Sequence, residues 1–312
     1  MVIEFPERSA MLLKRCFPVV VLLFTTAVAS AQVKFEAKYV ESSKWETLRD
    51  SKTTQTLTLA GMNIDTKSSA FAVVEHAVGQ RAADGILKVE EKTKTLQTEI
   101  SFPGGKVEFD SANLDKKADN PLLEPVLDVF RAMVRLPITM ELDAKNKLTS
   151  MKLPEGEFEK LPEAAKERFN PEVMKKAMER ANDFLPSEPV KKGETWERFS
   201  EMNLGSGQTM SFRTRYEYEG TIEKEGTTFE KISGTALDVT FAINGNPMLQ
   251  VTKSELKILN SKSTYLFDQT LGAVSSSTSK MQIAGPLTLV INGMELPGKV
   301  DLTIEESTKR QK

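Results

Sequence analysis

The chain has 312 residues, 39% apolar and 28% charged, with 42 Lys+Arg against 44 Asp+Glu and a single His. That apolar content can fill a core and excludes wholesale disorder. A formal net charge of −2 provides none of the basic field that nucleic-acid binding requires.

The N-terminal stretch reads as a targeting segment. Lys14-Arg15, the apolar run Phe17–Ala29 and the small residues Ala29-Ser30-Ala31 match the basic, apolar and cleavage regions of a secretory signal peptide. The run is shorter than the roughly 20 residues of a membrane-spanning helix. Residues 1–31 are expected to be removed, leaving a chain that starts at Gln32; the true start is either Met1 or Met11. Cys16, the only Cys, precedes the apolar run, so the mature chain has no disulfide, thiol nucleophile or lipid-modifiable N-terminus. Secretion without disulfides points to a bacterial envelope, periplasmic or extracellular. No later apolar stretch is long enough to form an integral membrane segment.

Alternation of period two predicts a strand over Val33–Tyr39, a hairpin over Thr53–Thr66 turning at Gly61, and strands over Phe71–Val78, Ile86–Ile100 and Lys106–Phe109. The pattern then changes. Asn120-Pro121 pairs a capping side chain with a residue preorganised for the first helical turn. Leu122, Leu123, Val126, Leu127, Phe130, Met133 and Val134 follow at helical spacing. Strands at Ile138–Leu142 and Leu148–Leu153 come next, then helices over Glu157–Arg168 and from Asn170-Pro171 to about Ala181. Beyond Met210 the period of two returns: Met210–Tyr218, Thr227–Ile232, Thr235–Ile243, Leu249–Leu259, Ser263–Asp268, Ala273–Ile283, Leu287–Ile291 and Lys299–Glu305. Asn244-Gly245 and Asn292-Gly293 are hairpin dipeptides. A strand–Asp–turn–strand unit at Ile138–Leu153 is echoed at Ser263–Lys280, which suggests two related halves.

The segment Pro189-Val190-Lys191-Lys192-Gly193-Glu194-Thr195-Trp196 carries a Lys-x-Gly-x-x-Trp motif, in which Gly193 permits a tight turn and Trp196 packs on a sheet. With the signal segment and the duplicated units, the mature chain resembles uncharacterised secreted bacterial β-rich proteins grouped as domains of unknown function. Its architecture is more distantly similar to periplasmic lipoprotein-carrier half-barrels. The resemblance assigns no functional residue.

Reactive chemistry is scarce. One His and no mature Cys leave no donor set for zinc or iron–sulfur sites. The acidic loop Asp110–Asp119 lacks the alternating spacing of a calcium loop. His76 is the one imidazole available for nucleophilic catalysis, and no G-x-S-x-G elbow accompanies it. Ser254–Lys257 and Ser277–Lys280 match S-x-x-K but lie in strands, where positions three apart face opposite sides. No phosphate-binding glycine loop occurs.

These readings combine into an α+β expectation: a large curved antiparallel sheet, half-barrel-like with pseudo-repeated halves, packed against about three central helices. One β-rich domain is expected over residues 32–306, with a helical insertion over about 120–185 and a polar tail at 307–312. The expected role is a non-catalytic secreted or periplasmic protein that binds an apolar small molecule, lipid or lipidated partner between sheet and helices. Leu123, Leu127, Phe130, Met133, Val134, Met174 and Met178 would line the cleft. The alternative is a structural or interaction module with a filled core that meets another envelope protein. No enzyme activity, catalytic residue, cofactor, metal or nucleic acid is expected.

Overall fold

The computed structural model describes residues 32–166, 169–181, 183–205, 208–243, 249–291 and 293–311. The signal segment, the end of the Glu157–Arg168 helix, the Asn244-Gly245 dipeptide and Asn292 lie outside them.

Alternating apolar and polar side chains dictate strands through most of the chain, and the strands run longer than the local pattern suggests. The N-terminal half contributes β1 (Lys44–Leu59), β2 (Met62–Val78), β3 (Leu87–Phe102), β4 (Gly105–Asp110), β5 (Ile138–Leu142) and β6 (Leu148–Lys152). The C-terminal half contributes β7 (Thr195–Gly205), β8 (Gln208–Lys224), β9 (Thr227–Ile243), β10 (Leu249–Ser254), β11 (Lys257–Asp268), β12 (Ala273–Ile291) and β13 (Met294–Gln311). All 13 belong to one sheet of order β6-β5-β3-β2-β1-β13-β12-β11-β9-β8-β7, with β4 on β3 and β10 on β12. The pairings are antiparallel, and the halves join where β1 meets β13, from Glu46↔Gln311 to Leu59↔Gly298. Residues 307–311, expected to form a frayed tail, complete β13: β1 pairs all five and β12 pairs residues 307–309, which satisfies backbone groups a free tail would leave to water.

The sheet turns its apolar face inward. Met210 and Phe212 of β8 and Val239 of β9 share a buried cluster with Ile283 of β12 and Leu302 and Ile304 of β13. The β8–β9 pair and the β12–β13 pair are not adjacent in the ladder, so the β7–β9 end curls over the inward face. Gly285 permits one close approach there: a Cβ at this position would stand 2.4 Å from the Glu255 carbonyl oxygen, where the chain passes from β10 to β11.

Residues 33–40 do not extend the sheet as the expected strand. They form a strap across it, held by paired backbone hydrogen bonds between Val33 and Val190 and by the Lys38 N–H on the Gly272 carbonyl. Phe35 packs among Val190, Tyr218, Ile232 and Phe267 on the C-terminal half. Tyr39 packs against Met140 and its neighbours on the N-terminal half.

The α+β expectation is overturned, because the structure is mostly β. Among the described residues the helices are α1 (Glu124–Arg135), the four-residue α2 (Glu163–Lys166) and α3 (Pro171–Ala181), with a 3-10 turn at Pro121–Leu123. Asn120 caps that turn as expected, accepting the Leu122 N–H at 3.0 Å. The Glu157–Arg168 expectation fails through most of its length: residues 154–161 form turns, and Pro162, which cannot donate a backbone hydrogen bond, precedes a single helical turn. The helices therefore make no central layer. α1 packs on β3 and β4, and α3 packs beside β6.

The duplicated units share a turn device. The Asp143 carboxylate accepts the Lys145 and Lys147 N–H groups between β5 and β6, and Asp268 accepts those of Thr270 and Leu271 between β11 and β12. In the Lys-x-Gly-x-x-Trp segment, Gly193 takes φ 86° and Trp196 Nε1 donates to the Phe184 carbonyl at 2.7 Å. Both motif residues serve packing and chain reversal.

Candidate functional site

The seven residues expected to line one cleft fall into two groups. Leu123, Leu127, Phe130, Met133 and Val134 lie on the 3-10 turn and α1, packed against Leu96, Val107 and Phe109. Met174 and Met178 lie on α3, packed with Val89, Leu136, Met140 and Met151. Met133 contacts both groups and meets Met174 at a cavity of about 180 Å³. Leu127 is 2% exposed and Phe130 stacks obliquely on Phe109 at 5.5 Å, which is how α1 packs on the sheet.

The space between the helices, the strap and the sheet face around the β1–β13 junction holds a row of cavities. The first, lined by Arg49, Val74, Glu91, Met133, Leu136 and Met174, shares Glu91 with a second of about 200 Å³. The second shares Ala37, Tyr39, Met140 and Met178 with a third of about 360 Å³, which reaches Leu142 and Leu148. Methionine, leucine and aromatic side chains share the lining with polar groups, of which the middle cavity holds the most. The third cavity alone reaches the lower end of the roughly 300–1,000 Å³ common for ligand sites.

The sheet register builds the middle cavity. Trp45 on β1 pairs with His76 on β2, which pairs with Glu91 on β3, while Thr47 pairs with Arg310 on β13. Their side chains point inward. His76 is 5% exposed. Its Nδ1 meets Glu91 Oε1 at 3.0 Å and its Nε2 meets Thr47 Oγ1 at 3.0 Å. Burial alone would push the Glu91 carboxyl up. The His76 hydrogen bond and charge, with Arg49, outweigh that effect and hold it below the usual range. A carboxylate only accepts, so His76 Nδ1 carries a proton. Trp45 lies flat on the clamped imidazole, with centroids 4.8 Å apart and planes 8° apart. The Arg310 guanidinium lies over Trp45, 4.0 Å from the ring centroid.

The order Thr47–His76–Glu91 is that of a nucleophile, a base and an orienting acid. Its surroundings do not complete that chemistry. Thr47 is 8% exposed, and the β1 backbone is paired on both sides by β2 and β13, which leaves no backbone N–H pair beside Thr47 to hold an oxyanion. The arrangement fixes the imidazole and, through it, the Trp45 ring.

Of the residues expected to line a cleft, Met133, Met174 and Met178 border these cavities; Tyr39, Trp45, Arg310 and the Glu91 partner of His76 were not among those expected. Glu75, the sequence neighbour of His76, projects to the opposite face and pairs with Lys94 at 3.6 Å. The available signal was the alternation of Trp45, Thr47 and Arg49, which puts these three on one face of β1. The acidic Asp110–Asp119 loop is pinned by Arg131, which donates to the Leu114 and Lys116 carbonyls and to Glu124 and Asp128.

Residues 145–272 match a family of unknown function, DUF6263. That span includes the Lys-x-Gly-x-x-Trp segment but not Trp45, His76, Glu91 or Arg310. No curated protein matches the chain. Among solved structures, the chain is similar to one titled for lipid–protein interactions in lipovitellin, at 10% identity and TM-score 0.42, covering 88% of this chain and 26% of that one. It thus spans about a quarter of that protein. It is also similar to OpdQ of Pseudomonas aeruginosa, at 7% identity and TM-score 0.24, covering 86% and 99% of the two chains. An exported protein with a YmcC-like fold from Bacteroides fragilis matches at 10% identity and TM-score 0.20, covering 86% and 97%. At these scores the likenesses transfer neither fold nor function. Among the described residues no helix is long and apolar enough to cross a membrane.

Proposed function

We propose that this chain is a non-catalytic envelope protein that binds an apolar ligand, a lipid or the acyl part of a lipidated partner, beneath the strap and α3. The observation that carries the reading is the adjacency of the cavities: Glu91 borders the first two, and Tyr39, Met140 and Met178 border the last two. Methionine suits such a lining because its unbranched thioether adapts to differently shaped apolar partners. The strap provides a way in, since Ala37 and Tyr39 wall two of the cavities and belong to no strand. The envelope location rests on the signal-like segment at residues 14–31.

Native mass spectrometry of the protein purified from its host tests this reading. The expected result is a bound population that is heavier by a lipid-like mass and loses that mass on organic extraction. Ligand-free protein that also takes up no added lipid would overturn it.

A second reading, an interaction module of the envelope, is favoured by the edge strand β7, where Phe199 is 76% exposed. A stable complex that Phe199→Lys dissolves without changing lipid uptake would select it.

A further inference from the structure

We propose that the ligand is an anionic amphiphile, and that Arg310 receives its headgroup in the middle cavity while its tail runs along Met140 and Met178. This rests on the binding role proposed above and adds the chemical class of the ligand.

The argument begins with how the chain treats its other partly buried arginines. Arg131 donates to two carbonyls and two carboxylates. Arg81 donates to the Gly85 and Asp143 carbonyls and to Asn146 Oδ1. Arg198 donates to the Asp183, Glu197 and Leu185 carbonyls. A guanidinium taken out of water needs such partners, because its donors otherwise lose their hydration without return. Arg310 is half-buried and lines a cavity, and its guanidinium makes no hydrogen bond or ion pair among the described residues; it lies over the face of Trp45. Asp268 attracts it only from beyond ion-pair distance, and burial pulls its pKa below the usual arginine value.

The surrounding groups leave that charge free for a ligand. Glu91, the acid in the same cavity, is committed to His76 at 3.0 Å. Lys38, the second cation there, donates to the Gln269 carbonyl at 2.8 Å. The cavity therefore offers unneutralised positive charge beside an apolar wall of Trp45, Met140, Met178, Ala273 and Val274. Geometry restricts the guanidinium as well. Glu91 and Thr47 clamp His76, His76 seats Trp45, and Trp45 supports one face of Arg310. A planar fork held this way presents its N–H edge for bidentate contact with a carboxylate or a phosphate. An apolar tail leaving the headgroup meets Met140 and Met178, which continue into the next cavity.

The test titrates the full chain by calorimetry with four single-chain ligands of equal length: dodecanoate, dodecyl phosphate, dodecanol and dodecyltrimethylammonium. Dodecanoate, dodecyl phosphate or both should bind about tenfold or more tightly than dodecanol, the effect of a charge-assisted hydrogen bond, and the ammonium should bind most weakly. The ranking of the two anions separates a carboxylate from a phosphate headgroup. Arg310→Gln should reduce the anion preference to within about threefold while leaving dodecanol affinity unchanged, and Arg310→Lys should keep part of the preference. Thermal melts confirm that the variants are folded; should Arg310→Gln not fold, the wild-type ranking decides alone. Equal wild-type affinity for dodecanoate, dodecyl phosphate and dodecanol would overturn the headgroup site and leave the apolar-cavity reading intact. Binding of none of the four would overturn both.

Discussion

One inward sheet face is finished in two ways. On the C-terminal half, aromatic rings close the space. Phe35 meets Phe267 at 5.2 Å and Tyr218 at 5.6 Å, both edge to face, and Phe184 stacks on Tyr265 at 4.3 Å. Tyr218 donates its hydroxyl to Glu230, and burial pushes its pKa up to about 12. On the N-terminal half the same face carries methionines and a clamped histidine, met at the β1–β13 seam by Arg310, and it leaves cavities between them. Strand geometry is common to both halves, so the choice of side chain makes the difference. Rigid rings with partnered polar ends fill a core, whereas flexible thioethers and a half-satisfied cation leave room for something else.

The contrast is sharpest in stability. Phe267 is 1% exposed and sits in the filled half, so Phe267→Ala should cost about 3–5 kcal/mol in urea unfolding. A cost near that of a surface change would mean that the filled half is loosely packed too. Gly285→Ala should cost about 1–3 kcal/mol, because its new Cβ would stand 2.4 Å from a backbone oxygen that cannot rotate away. In the cavity half, Glu91→Gln should cost about 1–2 kcal/mol at neutral pH. It should also flatten the acid limb of the stability curve. The folded Glu91 pKa lies below its ordinary value of 4.5, so its stabilisation is present above that pH and is lost as pH falls further. Wild-type protein should therefore lose more stability than Glu91→Gln between pH 5 and 3. The smallest effect belongs to Met178→Ala. Met178 already borders two cavities, and its truncation should cost under about 1 kcal/mol.

Much of this architecture was legible in the sequence. Alternation located nearly every strand, and Asn120-Pro121 located the helical turn, because strands, caps and turns depend on neighbouring residues. The errors arose where a local pattern met a distant partner. Val33–Tyr39 alternates like a strand but finds ladder bonds only at Val33, so it became a strap. The residues near Phe158 and Leu161 suggested a long helix, but they pack against the β5–β6 region from turns. Leu127 and Phe130 have the apolar spacing of a cleft lining, yet β3 and β4 take up that face. The middle cavity was least legible of all. Thr47 and Arg310 are cross-strand partners from opposite ends of the chain, and no local spacing announces a pairing that the β1–β13 junction creates.

The central claim, that the cavities between strap, sheet and α3 are a binding site, is tested most directly by filling them. Met178→Trp places a large ring where two of the cavities meet. Titration with the neutral fluorescent probe N-phenyl-1-naphthylamine should show saturable binding to the wild-type protein. In Met178→Trp, the Kd should rise by about tenfold or more while the melting temperature stays within a few degrees. Unchanged probe affinity in folded Met178→Trp, or no binding by the wild-type protein, would contradict the account.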